Sequence, residues 1–297
     1  MLKLYNTLTK TLETLESTSS DIKIYLCGPT VQSSPHIGHG RSAVVFDFMV
    51  RYIKFSGKNV IFARNITDID DKIIEKSVEE NISYKELGKR VTKEFKDSYD
   101  RLNCLTPDFE PKATETIDQM IDLIDDLIKK EYAYVTKSGV YFDVSKYDSY
   151  LELSGRSFDQ VLSGTRVNVE EDKKNPEDFA LWKISKDDEP SWKSPWGSGR
   201  PGWHIECSAM INDIFKGEIE ASKIPPHWHA WLHKSIDEPP LNYSHKYSWQ
   251  KNHKPNTHSR LFCRICCCSY HYHCLKNGPS YFNNPCYSWC CSRGRLL

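Results

Sequence analysis

The order of hydrophobic and polar positions near the amino terminus predicts a strand, a helix and a second strand. Apolar residues dominate Ile22–Cys27, which precedes a glycine–proline breaker and is typical of a buried strand. An amphipathic stretch over Ala43–Phe55 predicts a helix that closes at Gly57. The β-like run Asn59–Ala63 predicts the next strand. These elements make a βαβ unit, the repeating piece of a parallel sheet.

Ligands of such sheets bind beyond the carboxyl ends of the strands. In this chain those positions are residues 27–40 and 64–71, where we expect the functional side chains. Further along, Ala113–Lys130 carries isoleucines at helical spacing and predicts a packing helix without a catalytic role. From about residue 135 to residue 200 short strands such as Gly139–Val144 alternate with charged loops, which predicts an inserted subdomain.

Composition excludes few functions. The chain has 297 residues, and its 40 lysines and arginines balance 40 aspartates and glutamates, so net charge predicts no polyanionic partner. No leader peptide or apolar run of membrane-spanning length is present in the sequence, so we expect a cytoplasmic protein without a membrane partner. The first two thirds of the chain contain three cysteines, Cys27, Cys104 and Cys207, whereas the other eight lie near the carboxyl-terminal end. This uneven distribution indicates a break in composition, not a disulfide framework.

Two short motifs carry the candidate chemistry. In His36-Ile-Gly-His39 the glycine permits close approach of a nucleotide, and the two imidazoles can meet phosphate oxygens. On its own this motif is a weak signal. The acidic run Asp68-Ile-Asp-Asp71 follows the second strand, and on spacing alone a solvated, helix-capping turn is the favoured interpretation.

Taken together, the motifs resemble those of one family. Cys27-Gly-Pro-Thr-Val31, the histidine motif and Arg64-Asn-Ile-Thr-Asp-Ile-Asp-Asp-Lys72 come in the order found in cysteinyl-tRNA synthetase, a class I aminoacyl-tRNA synthetase. The resemblance continues to Gly199-Arg-Pro-Gly-Trp-His-Ile-Glu-Cys-Ser-Ala-Met210. It implies an α/β fold: a Rossmann-like parallel nucleotide-binding sheet of the HIGH type, with an inserted connective subdomain and truncation at its carboxyl-terminal side.

The resemblance also implies a function and a set of site residues. The family activates cysteine with ATP and Mg²⁺ to cysteinyl-adenylate and transfers it to tRNA(Cys), with the substrate thiolate bound to Zn²⁺. The residues at the matching positions are Cys27 and Cys207 for zinc; His36 and His39 for catalysis; Pro29, His36, Ile37, Gly38 and His39 for ATP; and Gly28, Thr67 and Trp203 for cysteine. For Trp203 a core aromatic is an equally good interpretation.

The expected domains follow from where the resemblance begins and stops. Residues 1–115 are the first half of the catalytic domain, 116–200 the insert, and 201–220 the start of the second half. The family's His-His-Glu-Asn-Glu segment, which carries the other zinc ligands, and its Lys-Met-Ser-Lys-Ser loop are absent from this sequence. Residues 257–297 are Cys-rich, and we expect an out-of-frame or disordered tail.

A second resemblance covers residues 221–256. Ile224-Pro-Pro-His-Trp-His-Ala-Trp-Leu-His233 and Trp249-Gln-Lys-Asn-His-Lys-Pro-Asn256 resemble a small, non-catalytic accessory subunit of respiratory NADH:ubiquinone oxidoreductase. Two alternatives to a cysteine–tRNA ligase therefore stay open. One is the related ligase that joins cysteine to an amino-sugar. The other is an interaction protein that docks on a respiratory complex.

Overall fold

The computed structural model describes residues 2–15, 21–147, 150–153, 172–216 and 221–223, the last range by its backbone. The chain opens with an antiparallel hairpin in which β1 (Lys3–Asn6) pairs with β2 (Thr11–Thr14). Leu4 and Leu15 of this hairpin region are buried against the sheet that follows. The hairpin therefore covers one end of the hydrophobic core.

A parallel sheet carries the predicted βαβ unit. β3 (Asp21–Leu26) lies between β4 (Asn59–Arg64) and β9 (Ala221–Lys223), and both neighbours run parallel to it. Both predicted strands are confirmed, with β3 ending one residue before Cys27. The extended chain at Phe109–Lys112 continues along β4 through parallel bridges. The fold is α/β, and the carboxyl ends of its strands meet at a single edge.

The helix between the two strands is α1 (Ile37–Phe55), which starts six residues earlier than the amphipathic pattern predicts. The reason is the cap: His36, outside the apolar pattern, supplies an acceptor that lets the helix begin in the loop. Phe46, Val50 and Ile53 bury one side of α1 against β3 and β4. Gly57 has φ +82°, which confirms its predicted role at the helix end.

Two helices cover the edge of the sheet next to the predicted ligand loops. They are α2 (Asp71–Glu79) and α3 (Tyr84–Arg101). Their apolar sides meet in a cluster with Val31 and Ile66 from the loops that follow β3 and β4. Packing of these loops against helices fixes the backbone on which the candidate side chains stand.

The remaining elements form a second sheet and two helices, which contact the sheet and each other. After a 3₁₀ turn at Ala113–Glu115, α4 (Ile117–Lys129) occupies the position of the predicted packing helix. The antiparallel sheet that follows has the order β5 (Ala133–Val135), β6 (Gly139–Phe142), β7 (Phe179–Ile184) and β8 (Gly199–Pro201). It leads into α5 (Trp203–Phe215).

One hydrophobic core joins this sheet to the parallel sheet. Met120, Trp182, Met210 and Tyr25 are all fully buried within it. The core crosses the expected boundaries at residues 115 and 200, and the division into domains stays a prediction. Predictions for residues 154–171 and 224–297 lie outside the described residues. None of the helices in the described ranges is long and apolar enough to cross a membrane.

Candidate active site

Two cysteines meet at the carboxyl edge of the parallel sheet. Cys27 follows the last residue of β3, and Cys207 lies in the second turn of α5; their Sγ atoms are 3.5 Å apart. Cys27 is half-buried, whereas Cys207 is fully buried. Burial raises the pKa of the Cys207 thiol well above its usual range, and the neighbouring Cys27 sulfur raises it further. The fold thus brings together two residues that lie 180 positions apart.

The spacing of these sulfurs fits two corners of a zinc shell. Tetrahedral zinc with Zn–S bonds of about 2.3 Å holds two thiolates roughly 3.8 Å apart. Cys27 and Cys207 would therefore hold the ion with little movement. In the part of the chain that the structure describes, no third His, Cys, Asp or Glu joins them as a possible ligand. The described residues fit half of a zinc shell.

A buried carboxyl group lies beside this pair. Glu206 is 1% exposed, and its Oε2 accepts a hydrogen bond from the hydroxyl of Thr67, which is 2% exposed. Burial raises the pKa of Glu206 well above its usual range, although the Thr67 hydroxyl acts in the opposite direction. The sequence analysis missed Glu206. The sequence signal that could have identified Glu206 is a carboxylate between two apolar residues, Ile205 and Cys207. In the structure this part of α5 is buried on all sides.

Gly28 connects the cysteine loop to Thr67 through Asn65. The Gly28 amide donates to Asn65 Oδ1 at 2.8 Å, and Asn65 Nδ2 lies 3.4 Å from Thr67 Oγ1. A Cβ on Gly28 would come within 1.6 Å of the Asn65 carbonyl oxygen, so only glycine fits at this position. Asn65 is fully buried and was also missed from the sequence. The structure thus brings Cys27, Gly28 and Thr67 together.

Trp203 lies at the first position of α5 with 41% of its surface exposed. The interpretation of Trp203 as a core aromatic is therefore wrong. Its ring meets the His204 ring edge to face, with 6.0 Å between centroids. Trp203 lies about one helical turn before Cys207, on the same face of α5, and its exposed indole offers an apolar surface.

The two histidines cap α1 by the same kind of contact. His36 Nδ1 accepts from the Gly38 amide at 3.0 Å, and His39 Nδ1 accepts from the His36 amide at 3.2 Å. Since each Nδ1 is an acceptor, each neutral ring carries its proton on Nε2. The His39 ring is further fixed by edge contact with Phe95, at 4.9 Å between centroids. The Nε2–H of each ring therefore takes no part in these two cap contacts.

The other residues predicted to bind ATP lie at the start of α1 or in the loop before it. Ile37 is the first residue of α1 and is half exposed. A Cβ on Gly38 would come within 2.8 Å of the His36 ring, so glycine lets that ring fold back onto the helix start. Pro29 is buried, and its carbonyl accepts from the Thr67 amide at 3.0 Å. Pro29 thus links the histidine loop to the Thr67 loop.

Each carboxylate of the acidic run has a structural partner. Asp70 caps α2 by accepting from the Lys72 amide at 3.0 Å, which agrees with the helix-capping interpretation. Asp68 instead accepts from the backbone and hydroxyl of Thr114. Asp71 pairs with Arg200 of β8 at 2.8 Å and with Lys183 of β7. Asp68 and Asp71 therefore connect distant parts of the chain and do not form a purely solvated turn.

A helix that starts at the carboxyl edge of a parallel sheet, with two imidazole donors at its cap, is an arrangement suited to a nucleotide phosphate. The chain belongs to the family described as tRNA synthetases class I (C) catalytic domain, whose model matches residues 13–223. A second model, described as NADH ubiquinone oxidoreductase subunit NDUFA12, matches residues 208–264.

Curated relatives with the name cysteine–tRNA ligase agree with this family. The chain is 51% identical to that of Shewanella sediminis over 212 residues, which is 71% of this chain and 46% of the relative. It is 51% identical to that of Thermodesulfovibrio yellowstonii over 214 residues, 70% of this chain and 44% of the relative. The chain therefore spans less than half the length of the curated relatives it matches.

Among solved structures, the chain is similar to methionyl-tRNA synthetase of Mycobacterium tuberculosis in complex with methionyl-adenylate. The TM-score is 0.49 at 11% sequence identity, and the match covers 65% of this chain and 46% of that one.

Proposed function

We propose that the protein is a cysteine–tRNA ligase, which activates cysteine with ATP to cysteinyl-adenylate and transfers it to tRNA(Cys) in the cytoplasm. The observation that carries this proposal is the contact of Cys27 and Cys207, 3.5 Å apart, beside the buried Thr67 hydroxyl. Two soft sulfur ligands next to a polar anchor suit the recognition of a small thiol amino acid.

The residues of this chain would divide the work as follows. His36 and His39 donate from Nε2 to oxygens of the ATP phosphates while Mg²⁺ accompanies the nucleotide. Thr67, Gly28 and Trp203 border the amino acid, whose carboxylate attacks the α-phosphate and releases pyrophosphate. Cys27 and Cys207 would hold zinc, which would bind the thiolate of cysteine far better than the hydroxyl of serine.

The test is cysteine-dependent ATP–pyrophosphate exchange on the purified 297-residue chain, with zinc content measured on the same sample. We expect exchange with cysteine and none with serine. Cys27→Ser should abolish the response to cysteine, whereas Cys104→Ser, a half-buried cysteine away from the pair, should leave it unchanged. Exchange that responds equally to serine would contradict recognition through the sulfur pair.

The amino-sugar ligase shares the same adenylation step, so the product decides between them. A tRNA acceptor and an amino-sugar acceptor are offered to the chain together with cysteine and ATP. Transfer to tRNA(Cys) supports the proposal, and transfer to the sugar overturns it in favour of the related ligase.

A second candidate function rests on the match of residues 208–264 to the NADH ubiquinone oxidoreductase subunit model. It is a non-catalytic protein that docks on a respiratory complex. Fractionation of cells separates it from the first proposal: co-migration of the chain with the assembled respiratory complex supports docking, and its absence from those fractions counts against docking.

A further inference from the structure

Cys27 and Cys207 have a geometry that suits a second kind of chemistry. Their Sγ atoms lie 3.5 Å apart, in van der Waals contact and without an intervening side chain. Cys27 stands in the loop after β3, where the backbone is not held in a ladder beyond Leu26. A rotation about its side-chain bonds can therefore shorten the distance between the sulfurs to that of a bond.

The two thiols differ in access. Cys207 is fully buried, and Tyr25 and Met210 occupy the core next to it. Cys27 is half-buried, so a small oxidant reaches its sulfur first. Cys104, the third cysteine of the described residues, is half-buried as well and lies in a different cluster with α3. A half-buried thiol in contact with a fully buried one is the arrangement of a cysteine that reacts first with a peroxide and of its resolving partner.

We infer that Cys27 and Cys207 form a disulfide when the chain meets a hydroperoxide without a metal ion bound between them. In the first step the Cys27 sulfur takes the terminal oxygen of the hydroperoxide, which gives a sulfenic acid and an alcohol, or water from hydrogen peroxide. In the second step the Cys207 sulfur attacks Cys27 Sγ and displaces hydroxide, which leaves as water with the Cys207 proton. Two thiols are oxidised, and one peroxide is reduced.

The disulfide makes the pair a modification site that excludes metal binding. Both sulfurs are used in the new bond, so neither offers a thiolate to zinc. The chemistry needs only the two thiols and a hydroperoxide, and it does not depend on whether the chain is a ligase.

The experiment uses the complete chain in a buffer that contains a metal chelator. The chain is exposed to hydrogen peroxide, free thiols are blocked, and non-reduced peptides are mapped by mass spectrometry. We expect the Cys27–Cys207 peptide, lighter by two hydrogens, in at least about tenfold excess over any cross-link that involves Cys104, because preformed contact replaces a diffusive encounter. The same oxidation in urea is the reference for random pairing among the 11 cysteines.

Variants test each thiol separately. Cys104→Ser should leave the cross-link unchanged. Cys207→Ser should abolish the cross-link and leave Cys27 as a sulfenic acid. A cyclic diketone, which reacts with sulfenic acids and is added together with the peroxide, should then label Cys27. The inference is overturned if the native chain yields no more Cys27–Cys207 peptide than the urea-treated chain. It is also overturned if Cys27 stays unlabelled in Cys207→Ser.

Discussion

Thr67 and Glu206, 139 residues apart in sequence, share a hydrogen bond that is buried at both ends. Thr67 follows β4 of the parallel sheet, and Glu206 lies on α5, which also carries Cys207. The bond therefore ties the helix with one cysteine to the strand loop next to the other. A buried hydroxyl and carboxyl that satisfy one another fix a single arrangement of the two elements.

Two substitutions of Glu206 distinguish the contribution of its hydrogen bond from that of its ability to ionise. Glu206→Gln keeps an acceptor oxygen and the volume of the side chain, so we expect a change in unfolding free energy below about 1 kcal/mol. Glu206→Ala leaves the Thr67 hydroxyl without its acceptor and opens a cavity, which should cost about 2–4 kcal/mol. Urea unfolding measures both. Equal losses in the two variants would contradict a role through the hydrogen bond.

His36 joins a structural role to a proposed binding role, and two substitutions separate them. Asparagine is a good N-cap residue and accepts from the Gly38 amide as His36 Nδ1 does, so His36→Asn should keep the stability within about 0.5 kcal/mol. His36→Ala lacks the acceptor and should lose about 1 kcal/mol. Thermal unfolding measures the difference.

Both substitutions remove the Nε2–H donor. Because a hydrogen bond to a charged group contributes about 1.5–3 kcal/mol, we expect the affinity for ATP to fall at least about tenfold in each variant. Calorimetric titration with ATP measures this. ATP binding that survives in His36→Asn but not in His36→Ala would show that His36 acts only as a cap.

Asp71 should make the fold sensitive to acid. Burial raises its pKa, but hydrogen bonds and charges from Lys183 and Arg200 outweigh burial, and the net pKa is lowered. A carboxylate with a lowered pKa in the folded state adds stability above its ordinary pKa of about 3.9. That stability is lost as the pH falls through the lowered value. Asp71→Asn should lose about 1 kcal/mol near neutral pH, with the difference from the unsubstituted chain vanishing in acid.

The measurement for Asp71 is urea unfolding as a function of pH. Asp97→Asn is the matched control, because Asp97 is about as exposed as Asp71 and also pairs with a lysine, but its partner Lys93 is 75% exposed, whereas Arg200 beside Asp71 is 10% exposed. We expect less than about 0.5 kcal/mol from this control at any pH. An Asp71→Asn difference that persists unchanged in acid would contradict the assignment.

We expect substitution by alanine to have opposite effects on stability at two glycines. Gly28→Ala puts a Cβ within 1.6 Å of the Asn65 carbonyl, and the backbone shift it forces should cost about 2–3 kcal/mol. At Gly88, inside α3, the nearest atoms to a new Cβ are 3.8 Å away. Since alanine favours a helix over glycine, Gly88→Ala should stabilise the chain by about 0.5–1 kcal/mol. A stable Gly28→Ala variant would contradict the close approach seen here.

Local patterns were enough to predict the backbone that carries the site. The apolar run before Cys27, the glycine after α1 and the β-like run at Asn59 are confirmed because strand and helix periodicity depends on near neighbours in sequence. The start of α1 was placed too late, since His36 caps the helix through a side-chain nitrogen that hydrophobic periodicity does not register. The residue types of the two motifs were found without the fold.

Contacts between distant residues had to come from the tertiary structure. The sequence around Glu206 or Asp71 does not identify its partner, because each partner lies on another element. Asn65 has one partner two residues away, Thr67, but its other partner, Gly28, lies 37 positions before it. The exposed position of Trp203 likewise depends on how α5 packs, since its ring is as apolar as a core side chain. The sequence alone determined the strands and the helix of the βαβ unit, the packing helix after it, the family resemblance and the loops where function is expected. Only the tertiary structure decided which side chains meet, because burial and pairing depend on packing between residues that are far apart in sequence.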